Sequence, residues 1–126
     1  MAKFLATSIY DSGLNDMTSI TTMHVISSYV AGDTYANVIA ASLGNAAVTM
    51  GAVGAGSGTN SRKRTTPATN ITATAASASP DLHIALVSTG GTKVYAVTKT
   101  PNQPIAIGNV LQVGAFDIQF NQPSQV

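Results

Sequence analysis

Hydrophobic and polar positions alternate most regularly in the second half of the chain. Ile71, Ala73 and Ala75 fall on one side of residues 70–75 and Asn70, Thr72 and Thr74 on the other. That period of two predicts a half-buried strand. His83–Ser88 and residues 92–99 are β-rich runs joined by Thr89-Gly90-Gly91. They predict a hairpin, with the glycines supplying the positive φ of a tight turn. Pro101-Asn102-Gln103-Pro104 predicts a further turn. Residues 109–120 form the longest predicted strand, and its pattern slips midway. Leu111 and Val113 are the apolar positions first, and Phe116, Ile118 and Phe120 afterwards, with Asp117 and Gln119 between. A β-bulge or bend at Gly114 accounts for the change of parity.

The first half is less regular. Residues 7–19 predict a helix, because Tyr10, Leu14 and Met17 share a face at i, i+4 and i+7. Asp11 or Ser8 is placed to cap its start, and Gly13 weakens it by about 1 kcal/mol relative to alanine. Residues 21–27 alternate and are β-branched, so they read as a strand. Residues 35–43 fit helix or strand, and 46–53 are strand-like but rich in alanine. From 54 to 67 the glycines, the polar run and the closing Pro67 predict a long flexible loop, of the kind that is functional or ordered on binding. Many short strands with polar turns make one domain, residues 1–126. Its predicted class is mainly β, an antiparallel β-sandwich or barrel with one short N-terminal helix.

Composition changes what such a domain is for. The chain has 126 residues, of which 44% are hydrophobic, enough for a folded core. Only 9% are charged, and glutamate, cysteine and tryptophan are absent. A freely soluble domain carries about a quarter charged residues. A surface this poor in charge has little self-repulsion to keep molecules apart, so much of it is expected to meet other protein. Six basic residues against five acidic ones give a net charge of +1. That balance argues against dense phosphate binding, which needs a Lys or Arg per phosphate. Without cysteine there is no disulfide, thiolate metal site or cysteine nucleophile. The most apolar window, 38–53, is too short for a bilayer and is broken by Ser42, Gly44, Asn45 and Gly51. Asp11, Asn15 and Asp16 arrive before any long apolar stretch follows Lys3, so no signal peptide is expected.

Candidate chemistry is sparse. Asp81 and His83 stand at i and i+2 on one strand face, but an aspartate after Pro80 at a strand entrance is commonly a turn or capping residue. His24 reads as structural. Two histidines alone do not make a three-imidazole metal site. Gly51, Gly54, Gly56 and Gly58 miss both the phosphate-loop and the dinucleotide spacing, and read as loop flexibility or as a close backbone contact with a neighbour. Arg62-Lys63-Arg64 holds half of the basic residues. It reads first as a solvated loop tip, then as a protein contact, and last as a nucleic-acid contact, since no aromatics lie nearby for stacking. Asn70-Ile71-Thr72 is a glycosylation sequon that matters only in a secretory pathway. No catalytic residue, cofactor or metal is expected, and an enzyme ranks last.

Phe4-Leu5-Ala6-Thr7 followed by Tyr10-Asp11-Ser12-Gly13-Leu14-Asn15 resembles the opening of small structural proteins from the head and tail modules of tailed bacteriophages. Ser42-Leu43-Gly44-Asn45, the basic Ser61-Arg62-Lys63, and His83-Ile84-Ala85-Leu86-Val87 before a glycine turn follow in the family's order. So do Gly108-Asn109-Val110-Leu111 and Ala115-Phe116-Asp117-Ile118. The chain departs from the family at Ile84, where tryptophan is common. The resemblance implies a non-enzymatic virion component assembled in the host cytoplasm, foremost a capsid decoration (cement) protein. Its implied partners are the major capsid protein and copies of itself, with neither nucleic acid nor membrane. The candidate contacts are residues 2–7, with Lys3, Phe4 and Leu5, and residues 119–126, with Phe120 and Gln122. A third is the 54–67 loop, with Arg62, Lys63 and Arg64. Removing 120–126 is expected to weaken attachment and leave the domain folded. The alternatives are a tail or head–tail connector subunit, and a receptor- or carbohydrate-binding module, which exposed clustering of Tyr29, Tyr35 and Tyr95 would favour.

Overall fold

In the computed structural model, residues 4–77, 81–100 and 105–122 are described. The protein is mainly β, with antiparallel sheets stacked like a sandwich and no closed barrel, and it carries one substantial helix near its N-terminus. The predicted turn at 101–104 lies outside the described residues.

Helix α1, Thr7–Asp16, continues into a 3-10 turn at Met17–Ser19. It buries Tyr10 and Leu14, while Met17 packs at the margin of the core, as the spacing predicts. Neither expected residue caps it. Ala6 holds the N-cap position without a side-chain bond, the Ser8 carbonyl accepts from Ser12 Oγ, and Asp11 turns away to Arg62.

The larger sheet has the order β2-β1-β6-β7, formed by β1 Thr22–Ile26, β2 Ser42–Ala47, β6 His83–Ser88 and β7 Lys93–Lys99. Both of its faces are covered. Met23, Val25, Ile84 and Leu86 enter the main core, while Ile26, Ala85 and Val87 meet Val38 in a second, smaller one. Val38 belongs to the one-turn helix α2, Tyr35–Ala40, begun by Thr34, whose Oγ1 accepts from the Asn37 N–H. The ambiguous 35–43 stretch is therefore helix first and strand afterwards. The hairpin of β6 and β7 forms as expected, but its positive φ (49°) falls on Thr92 and not on Gly90 or Gly91.

The second sheet, β3-β4-β9, corrects the largest expectation. Residues 54–67 are a β-hairpin and no flexible loop: β3 is Val53–Ala55, β4 is Arg62–Thr66, and β9, Phe116–Phe120, pairs with β4. The turn is held by Gly56 N–H on the Ser61 carbonyl at 2.9 Å, by Ser61 Oγ, which accepts from Gly58 N–H and donates to its carbonyl, and by Asn60 at φ 54°. A Cβ on Gly56 would lie 2.5 Å from Ser61 Oγ and 2.7 Å from Gln119 Oε1, so this glycine serves close approach. The strand-like reading of 46–53 also fails in detail. β2 ends at Ala47, and Val48 and Met50 are buried from irregular chain before β3 begins.

A two-stranded ribbon pairs β5, Thr69–Thr72, with β8, Val110–Val113. The parity slip at Gly114 is thus a change of sheet: the chain leaves β5 as β8 and joins β4 as β9. Gly44 lets the ribbon approach β2, since a Cβ there would sit 2.5 Å from the Thr72 carbonyl oxygen. Among the described residues, no helix is long and apolar enough to cross a membrane.

Candidate binding surface

Most of the contact residues expected from sequence come together at one end of the second sheet. Gln122 ties the two ends of the described chain: its Oε1 accepts from Leu5 N–H, and its Nε2 donates to the carbonyls of Leu5 (2.9 Å) and Asn60 (3.0 Å). Beside it Tyr10 donates from its hydroxyl to the Asn121 carbonyl and packs its ring 5.7 Å from that of Phe120, which also fills the space left by Gly13. Phe120 and Gln122 are therefore parts of the fold, and removing 120–126 takes away contacts that hold α1. The expectation that such a truncation leaves the domain folded thus has to be met without these contacts. Lys3 lies outside the described residues.

The basic triplet divides by strand alternation. Arg62 and Arg64 point inward from β4, and Lys63 points out. Arg62 Nε meets Asp11 Oδ1 of α1 at 2.6 Å. Arg64 is buried, with Nε on the Gly51 carbonyl and Nη1 on the Leu14 carbonyl and Thr18 Oγ1. It fastens the end of α1 to the sheet, and the solvated loop tip does not exist. Lys63 Nζ reaches Asp117 Oδ2 across the strand pair at 3.1 Å, and Thr65 Oγ1 donates to the other carboxylate oxygen at 2.7 Å. The Thr65 hydroxyl first, and Lys63 second, hold the Asp117 carboxyl below its ordinary value.

The remaining charges are engaged in the same way. Lys93 pairs with Asp16, Lys99 pairs with Asp81, and Asp33 accepts from Val30 N–H. The bond from Lys99 holds the Asp81 carboxyl below its ordinary value. Asp81 is thereby directed to Lys99, and His83 stacks near Tyr29 with ring centroids 6.3 Å apart. His24 shares its Nδ1 with Ser42 Oγ at 2.8 Å, and burial pushes its pKa down. Every charged side chain among the described residues thus has a partner within the molecule.

Against that neutral background stand Phe4 and Val30, each 70% exposed, Ile9 at the start of α1, and Ile107 and Val110 at the far end of the ribbon. Of these, only Phe4 was singled out from sequence. Tyr29 and Tyr35 pack on the smaller core and Tyr95 on the main one, so they make no shared exposed platform. Two adjoining hollows of about 420 and 240 Å³ run between β7 and the β8–β9 segment, floored by Ile84, Leu86, Leu111, Val113, Phe116 and Ile118. Among the described residues no cluster of His, Asp or Glu is arranged to hold a metal ion. Comparison with protein-family models, with curated proteins and with solved structures gave no match to this chain.

Proposed function

We propose that this protein is a non-enzymatic structural component of a virion, a capsid decoration protein that binds the head lattice and bridges neighbouring capsid subunits. The observation that carries the reading is the surface: every described charged side chain has an ionic or hydrogen-bonding partner within the molecule, while large apolar side chains stand exposed. Docking such a surface on protein desolvates few charges, each already held by an internal partner, which lowers the desolvation cost that opposes association. Many copies on a repeating lattice then add modest contacts through multivalency. The resemblance to phage head and tail proteins points the same way.

The test is to mix purified protein with undecorated, expanded heads and count bound copies per particle. Saturation at a multiple of the capsid's subunit number is the expected result. No binding, or a dozen or fewer copies at one vertex, overturns it, and the latter outcome moves the protein to the tail or connector.

A further inference from the structure

Besides β2, which the β5–β8 ribbon approaches, and the three-residue β3, the two sheets have edge strands of opposite character, β7 on one and β9 on the other. Edge strands are usually defended by lysines, prolines or bulges, because unpaired backbone groups invite another strand. β7 is defended: it carries Lys93 and Lys99 at its ends and a register irregularity opposite Leu86/Val87. β9, Phe116-Asp117-Ile118-Gln119-Phe120, has no lysine, no proline and no irregularity in its pairing with β4.

The hydrogen-bond parity shows which β9 groups face outward. Gly56 N–H bonds the Ser61 carbonyl in the same register that pairs Gly54 with Lys63, so the backbone groups of Lys63 point to β3. Those of Arg62 and Arg64 then point to β9, where they meet Phe120 and Ile118. Alternation leaves the N–H and C=O groups of Asp117 and Gln119 aimed at the open edge.

We infer that β9 is a dimer interface, pairing antiparallel with β9 of a second copy about a two-fold axis at Ile118. The segment is palindromic in chemistry. In this register Ile118 faces Ile118 of the second copy, Phe116 faces its Phe120, and Asp117 faces its Gln119. The outward backbone groups of Asp117 and Gln119 coincide with the hydrogen-bonded pairs of that register, giving four backbone bonds. The aromatic and Ile pairs fall at the closer, non-hydrogen-bonded positions, where side chains interact best. An isologous contact of this kind needs a self-complementary patch. β7 lacks one, because pairing it on itself about Ala96 would set Lys93 against Lys99 of the second copy. The axis lies normal to the sheet, so both inner faces stay on one side and the apolar hollows beside β9 border the interface. The product is a continuous six-stranded sheet, β3-β4-β9 joined to its copy. Nothing in this pairing depends on attachment to a phage head.

Charge at position 119 tests the register in both directions. Gln119→Lys sets a lysine opposite Asp117 of the second copy, and Gln119→Asp sets a second carboxylate there. Both lose the Gln119 amide that bonds Ser57 and Asn121, and both face Lys63 across the strand pair of their own chain, so an unfolding curve of each variant is recorded beside its assembly. By sedimentation equilibrium the wild-type chain is expected to dimerise, Gln119→Lys to tighten the dimer about three- to tenfold, and Gln119→Asp to loosen it by a similar factor. As a readout on the unmodified chain, the amides of Asp117 and Gln119 are expected to exchange more slowly at high protein concentration than at low. A wild-type monomer at hundreds of micromolar overturns the inference. So does a dimer that both variants shift alike, or one whose 117 and 119 amides exchange at a concentration-independent rate.

Discussion

The two sheets reach the same antiparallel geometry by different physics. In the four-stranded sheet, β1 and β6 are buried on both faces, and their neighbours are apolar: Met23, Val25, Ile84 and Leu86 on one side, Ile26, Ala85 and Val87 on the other. The three-stranded sheet has Arg-Lys-Arg-Thr-Thr as its central strand. Its inner face is held to α1 by Arg64 on the Leu14 carbonyl and by Arg62 on Asp11. One sheet is fixed by non-directional burial, the other by directed hydrogen bonds to groups that burial would otherwise leave unsatisfied.

That contrast makes quantitative expectations. Leu86→Ala empties a fully buried position in the main core and should cost about 3 kcal/mol of unfolding free energy in a denaturant titration. Arg64→Met keeps the volume but removes the donor of the Gly51 carbonyl and the second donor of the Leu14 carbonyl, which keeps its helix-cap bond, and should cost about 2 kcal/mol. A loss below about 0.5 kcal/mol for Arg64→Met, within the range of ordinary surface substitutions, would show that backbone pairing alone holds the second sheet.

The smallest effect is with pH. Burial lowers the pKa of His24 below its ordinary 6.5, so the unfolded chain binds the proton more readily than the folded one. Stability should be full above pH 6.5 and decline as pH falls through that value toward the folded pKa. His24→Asn should flatten this decline. Asp81 and Asp117 lie below their ordinary 3.8, so their contribution is present above that pH and disappears as pH falls further. A stability curve with no slope near pH 6.5 would contradict the account of His24.

Where burial decides the structure, the sequence was readable. The β6–β7 hairpin, the face of α1 carrying Tyr10 and Leu14, and the alternation of Ile71 with Ala73 all follow from apolar spacing. The hairpin from 53 to 66 does not, because its signals are glycines and charges that are shared with flexible loops. What orders them lies far along the chain. Gln119 holds Ser57 N–H from 62 residues away, and Arg64 meets Leu14 from 50. The candidate contact residues divide in the same way. Phe4 stands exposed, whereas Phe120, Gln122, Arg62 and Arg64 are engaged by partners within the molecule that only the fold brings near.

The sequence by itself determined a mainly β fold, the strands with apolar periodicity, and a composition poor in charge, because composition and period are local properties of the chain. Tertiary structure alone decided which partner each charged side chain finds, which glycines serve close approach, and that the parity slip at Gly114 moves the chain from one sheet to another. It also left the β9 edge open and that of β2 covered, with the Leu43 carbonyl taken by Thr74 N–H. These depend on groups distant in sequence being held within hydrogen-bond reach, and such distances exist only once the chain has folded.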